Sequence, residues 1–123
     1  MRALIVDDSK TIRLLLKDLM RLVGFEVFEA GHGREGLNCL RQIGPVDLAL
    51  VDWNMPEMNG LDFVRAVRAE GAYDSIRLMM VTTETDMPRV VQALEAGANE
   101  YLMKPFTKDM ILEKLDLMGL SRP

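Results

Sequence analysis

Asp52 stands at the end of an apolar run, Val46-Asp47-Leu48-Ala49-Leu50-Val51, and is followed at once by Trp53-Asn54-Met55-Pro56. Three other apolar runs end in residues able to hold a cation or an anion. Ala3-Leu4-Ile5-Val6 ends in Asp7-Asp8, Leu78-Met79-Met80-Val81 in Thr82-Thr83, and Tyr101-Leu102-Met103 in Lys104-Pro105. Short apolar runs of this kind read as buried strands. The carboxyl ends of such strands are where open α/β sheets put their ligands.

If Asp7, Asp8 and Asp52 share one crevice, their charges repel, and the cluster is costly unless protons or a cation neutralise it. Oxygen-only donors in a small, partly wet site suit Mg²⁺, with Mn²⁺ as an alternative. No Cys/His spacing supports zinc. A carboxylate beside Mg²⁺, flanked by a hydroxyl (Thr82) and an ammonium (Lys104), is a workable phosphoryl acceptor. The cation would neutralise one phosphoryl oxygen, Lys104 a second, and Thr82 could donate to a third. Taken singly, a strand-end Asp is often a solvated turn and a Lys before Pro a surface residue. Taken together, four strand ends would have to choose complementary chemistry independently. Crowded acids also predict that Asp7→Ala or Asp52→Ala raises the melting temperature when no metal is present.

Other side chains carry weaker signals. His32, the only histidine, reads as a loop surface residue, with a phosphohistidine role as the sharper alternative. Trp53 is placed to report on the site through its fluorescence, or to fill core. Glu57 reads as a solvated loop acid. Cys39 is the only cysteine, so no internal disulfide exists, and no partner motif marks it as redox-active.

The elements that must position these residues alternate as βαβαβαβαβα. The first helix shows Ile12, Leu15, Leu16, Leu19 and Val23 on one face, with Ser9 as N-cap and Gly24 as stop. The second strand, Phe25 to Ala30, is mixed in polarity. The second helix runs from Gly33 to Ile43 and stops at Gly44-Pro45. The third carries Leu61, Val64 and Val67 and ends at Gly71. The fourth begins near Asp86, with Pro88 in its first turn, Val90, Val91 and Leu94 as its apolar side, and Gly97 as its end. Thr107 caps the last helix, and the tail from Gly119 to Pro123 is expected to fray. Solid apolar strands suit the centre of a parallel sheet and mixed ones its edges. The expectation is therefore an α/β, doubly wound, five-stranded parallel sheet of order 2-1-3-4-5, flavodoxin-like, with five helices.

A chain of 123 residues, 49% hydrophobic and 28% charged, fits one domain, taken as residues 1–123, with a core that needs no disulfide. The net charge of −4 argues against a nucleic-acid surface. No apolar run approaches the ~20 residues of a membrane helix, and no signal-peptide pattern opens the chain. A cytoplasmic monomer is expected.

The ordered set of motifs resembles the receiver domains of two-component response regulators, over the whole chain, and most closely the single-domain chemotaxis type. The motifs are Leu4-Ile5-Val6-Asp7-Asp8-Ser9, Val51-Asp52-Trp53-Asn54-Met55-Pro56, Met58-Asn59-Gly60-Leu61, Val81-Thr82-Thr83-Glu84 and Lys104-Pro105-Phe106-Thr107. The resemblance implies that Asp52 accepts a phosphoryl group from a histidine kinase and slowly loses it again, with no other enzyme activity. It implies Mg²⁺ ligation by Asp8, Asp52 and the Asn54 carbonyl, with Asp7 acting through a metal-bound water. Thr82 and Lys104 would hold phosphoryl oxygens, and Thr82 and Tyr101 would form the switch. Asn54 and Glu84 would tune self-dephosphorylation, and Lys104-Pro105 would be a cis peptide. The output would be docking to another protein, such as a flagellar motor switch component, through the fourth helix, fifth strand and fifth helix.

Rival readings are a phosphotransfer relay or phosphate sink without its own output, and a haloacid-dehalogenase-like phosphatase. The latter needs Asp-x-Asp after its first strand, where this chain has Asp7-Asp8-Ser9.

Overall fold

The computed structural model describes residues 1–83 and 87–120. Asp86, the expected start of the fourth helix, and Ser121 to Pro123 of the tail lie outside the described residues. The strands are β1 (Arg2–Val6), β2 (Glu26–Ala30), β3 (Leu48–Asp52), β4 (Arg77–Thr82) and β5 (Glu100–Met103). The helices are α1 (Lys10–Val23), α2 (Gly33–Ile43), α3 (Gly60–Arg68), α4 (Met87–Ala96) and α5 (Lys108–Leu117), with a 3₁₀ turn at Gly71–Tyr73. All strand pairs are parallel, in the order β2-β1-β3-β4-β5. That is the expected order, and it follows from polarity: β3 is buried along its whole length, while β2 exposes Glu26 and Glu29 at one edge.

Alternation along the strands divides the core into two layers. Leu4, Val6, Ala49, Val51, Leu78 and Met80 face α2, α3 and α4, where Leu40, Phe63, Val67 and Ala93 meet them. Ala3, Ile5, Leu48, Leu50, Met79 and Val81 face α1 and α5, against Leu16, Met20, Ile111 and Leu115. Each fully buried aliphatic side chain contributes about 1.5–3 kcal/mol.

Helix ends are specified locally. Ser9, His32, Asn59 and Thr107 are N-caps whose side chains accept a hydrogen bond from the backbone three residues on, at 3.2, 3.2, 2.9 and 3.2 Å. α1, α4 and α5 end in the same way, at Gly24, Gly97 and Gly119, all with positive φ. After each glycine an apolar residue, Phe25, Ala98 or Leu120, donates its N–H back to Met20, Ala93 or Leu115. These are Schellman ends, which need a left-handed residue that only glycine adopts without strain.

Several expectations are corrected. Leu15 is 46% exposed; of two adjacent leucines only Leu16 lies on the stripe that continues to Met20 and Val23. On α4 the buried residues are Val90 and Ala93, while Val91 and Leu94 are 49% and 38% exposed. The helix α3 ends at Arg68, not at Gly71, which opens the 3₁₀ turn instead. The tail does not fray at once, because Leu120 packs against the α1/α5 layer.

Candidate metal and phosphoryl site

Register carries the acids to one place. Val6 pairs with Val51, so Asp7 follows β1 beside Asp52 at the end of β3. Thr82 pairs with Met103 and stands one step from Lys104. Oxygens of Asp7, Asp8 and Asp52 lie within 4.8 Å of one another. Lys104 Nζ is 3.5 Å from Asp52 Oδ1. Thr82 is buried, with its hydroxyl 3.5 Å from the Thr83 carbonyl oxygen. The Lys104–Pro105 bond is cis.

The acids are held firmly but not satisfied. Asp7 Oδ1 accepts the Ser9 N–H at 2.8 Å, and Arg13 Nη1 donates to the Asp7 carbonyl oxygen at 2.6 Å. Asp7 Oδ2 is buried and has no hydrogen-bond partner among the described residues. Burial raises the Asp7 carboxyl above its ordinary value, partly offset by the Ser9 N–H. Burial, then the charge of Asp7, pushes Asp52 from 3.8 to about 6 against the pull of Lys104. Orphaned buried oxygens are uncommon in folded proteins and call for an explanation. The three clustered carboxylates, Asp7 and Asp52 buried and Asp8 exposed, fit a divalent cation, and hard oxygen donors favour Mg²⁺ or Mn²⁺.

Close packing fixes the loop that leaves β3. The Gly60 N–H donates to the Trp53 carbonyl oxygen at 2.9 Å. A Cβ on Gly60 would lie 2.5 Å from the Asp52 carbonyl oxygen, so only glycine fits. Trp53 itself is buried in the core against Asp52's neighbours. Asn54 is exposed, and its Oδ1 accepts a hydrogen bond from Arg89 Nη1 at 3.0 Å. Tyr101 is half-buried against the same core layer, with Lys114 Nζ 4.2 Å from its ring centroid. Glu84 lies outside the described residues.

His32 is more than surface: its Nδ1 is the N-cap acceptor of α2, and Glu57 Oε2 lies 3.8 Å from that same nitrogen. The signal was local, a polar residue three positions before Glu35 at a helix start. Glu57 is exposed as expected, at φ 66. Cys39 is half-buried, and burial pushes its thiol up, away from reactivity. Arg13 and Arg89 were not foreseen, since neither sits in a local motif.

A family model described as response regulator receiver domain matches residues 3–116. The chain is 46% identical over 121 residues to a chemotaxis protein CheY homolog of Campylobacter jejuni, covering 97% of this chain and 93% of that one. It is 44% identical over 119 residues to chemotaxis protein CheY1 of Helicobacter pylori, covering 96% of each. Among solved structures, chemotaxis protein CheY4 of Vibrio cholerae superimposes with a TM-score of 0.85 at 36% identity, covering 94% of this chain and 95% of that one.

Proposed function

The chain belongs to the response regulator receiver domain family, and on that premise we propose that it is a phosphorylation-driven switch with Asp52 as the phosphoryl acceptor. The observation that carries this is the meeting of Asp7, Asp8 and Asp52 within 4.8 Å, with Lys104 Nζ 3.5 Å from Asp52 Oδ1. In the transfer, an Asp52 oxygen bonds to phosphorus as the bond from phosphorus to a kinase histidine nitrogen breaks. The histidine nitrogen keeps the electron pair. Mg²⁺, held by Asp8, Asp52 and the Asn54 carbonyl, with Asp7 at one remove, would supply charge neutralisation for the acids and the phosphoryl oxygens. Lys104 orients the acceptor beforehand and pairs with a phosphoryl oxygen afterwards. The buried Thr82 hydroxyl donates to another.

The new charge draws Thr82 and Lys104 inward from β4 and the end of β5. Tyr101, on β5 two residues before the Met103 partner of Thr82, links that shift to the surface of α4, β5 and α5. That surface is suited to docking: Met87, Val91 and Leu94 on α4 and Leu112 on α5 are apolar and exposed. The names of the relatives favour chemotaxis; the docking partner proposed is a flagellar motor switch component and the donor a histidine kinase.

The test is incubation with acetyl phosphate and Mg²⁺. An acid-stable, base-labile label is expected on the wild type and none on Asp52→Asn. A label retained by Asp52→Asn refutes the assignment. Binding to a motor-switch peptide should strengthen with the label and weaken on Tyr101→Ala; a peptide indifferent to both would separate the acceptor chemistry from this output.

A further inference from the structure

Arg89 lies in the first turn of α4 yet is bound to the loop that follows Asp52. Its Nη1 donates to Asn54 Oδ1 at 3.0 Å, and its guanidinium carbon sits 5.6 Å from the Trp53 ring centroid. Trp53 and Asn54 are the first and second residues after the acceptor. One side chain therefore grips the two residues that follow Asp52 from the helix that carries the exposed apolar face. The buried indole offers the guanidinium a cation–π contact that favours this placement. The fork then fixes which atom of the Asn54 carboxamide it meets.

That atom matters for loss of the phosphoryl group. In hydrolysis, water oxygen bonds to phosphorus and the bond from phosphorus to the Asp52 oxygen breaks. The electron pair returns to the carboxylate, and both water protons leave with the phosphate as H₂PO₄⁻. A side chain beside the acceptor helps by accepting a hydrogen bond from that water, which orients its lone pair. Asn54 has one acceptor atom, Oδ1, and Arg89 takes one of its two lone pairs and so sets the direction in which the oxygen points.

We propose that Arg89 is a positioning residue that prolongs the phosphorylated state by holding the Asn54 carboxamide oxygen away from the attacking water. The inference rests on Asp52 being the acceptor. It makes the lifetime of the signal depend on where α4 stands: a partner that displaces Arg89 from Asn54 shortens it.

The experiment follows loss of label after acetyl phosphate is removed, with Mg²⁺ held constant, for wild type, Arg89→Ala, Arg89→Lys, Asn54→Ala and Asn54→Ala/Arg89→Ala. Arg89→Ala should lose label roughly two- to five-fold faster, the factor expected for freeing one exposed, charge-assisted hydrogen bond. Arg89→Lys, which keeps charge but not the planar fork, should fall between. In the Asn54→Ala background, removing Arg89 should leave the rate unchanged. Trp53 emission should shift in Arg89→Ala, because a cation leaves the ring. An unchanged or slower rate in Arg89→Ala, or an acceleration that persists without Asn54, overturns the inference while leaving Asp52 as acceptor. A wild type that takes no label overturns both.

Discussion

The two ends of the sheet are built on opposite terms. At the amino end, part-buried polar groups are matched. The Arg2 N–H donates to Asp47 Oδ2 at 2.7 Å and Arg2 Nη2 to the Ile43 carbonyl oxygen at 2.8 Å. Arg68 Nη2 reaches the Ile76 carbonyl oxygen at 2.7 Å and Asn99 Oδ1 at 2.9 Å, while its Nε reaches the Gly97 carbonyl oxygen at 2.9 Å. At the carboxyl end, Asp7 keeps an unpartnered buried oxygen and Asp52 is raised to about 6. The amino end holds the sheet together. The carboxyl end carries a cost in stability that a cation among its three acids would relieve.

The contrast breaks if Asp52→Asn fails to do two things at once. It should lose all label, and in chelator at neutral pH it should melt roughly 10–15 °C above wild type, the shift expected for relief on the order of 3 kcal/mol. The sign follows from proton counting. Between 3.8 and about 6 the folded chain holds a proton on Asp52 that the unfolded chain has released. Stability therefore falls as pH rises through that window, and the penalty is fully present above it. The gain from Asp52→Asn should accordingly fade as melting is repeated towards pH 4.

Arg68→Met probes the other end. It leaves several carbonyls half-buried without their donor and should cost about 2–3 kcal/mol, seen in urea midpoints, with label uptake at native temperature unchanged. Mg²⁺ should raise the melting temperature of the wild type with the logarithm of its concentration, a stabilisation of about 2.7 kcal/mol at a hundredfold excess over its Kd. It should do little for Asp52→Asn; an equal rise in both would place the cation elsewhere. The smallest effect is expected from His32→Ala, about 1 kcal/mol from a lost cap, measured by denaturant titration.

Much of this was legible beforehand because strand ends are local. Apolar runs named the strands, their polarity separated edge from centre, and the residue after each run named the cluster. Sequence patterns failed where distance in the chain was long. Arg68 serves carbonyls on the 3₁₀ turn and the approach to β5, and Arg89 meets Asn54 from 35 positions away. No periodicity records such reach. Patterns also failed where two apolar neighbours competed for one face: Leu15 and Leu16 are alike in composition, and only packing chose between them.

Gly60 has a broader consequence. Because its N–H closes onto Trp53 and its bare α-carbon abuts the Asp52 carbonyl, the stretch from Asn54 to Asn59 is a loop of fixed circumference, clasped at both feet. Such a cassette can exchange its exposed side chains, Asn54 and Glu57, without touching the Asn59 cap of α3. Under the proposed phosphoryl chemistry, signal duration is then open to retuning at those two positions, provided that the loop's length and its glycine clasp are kept.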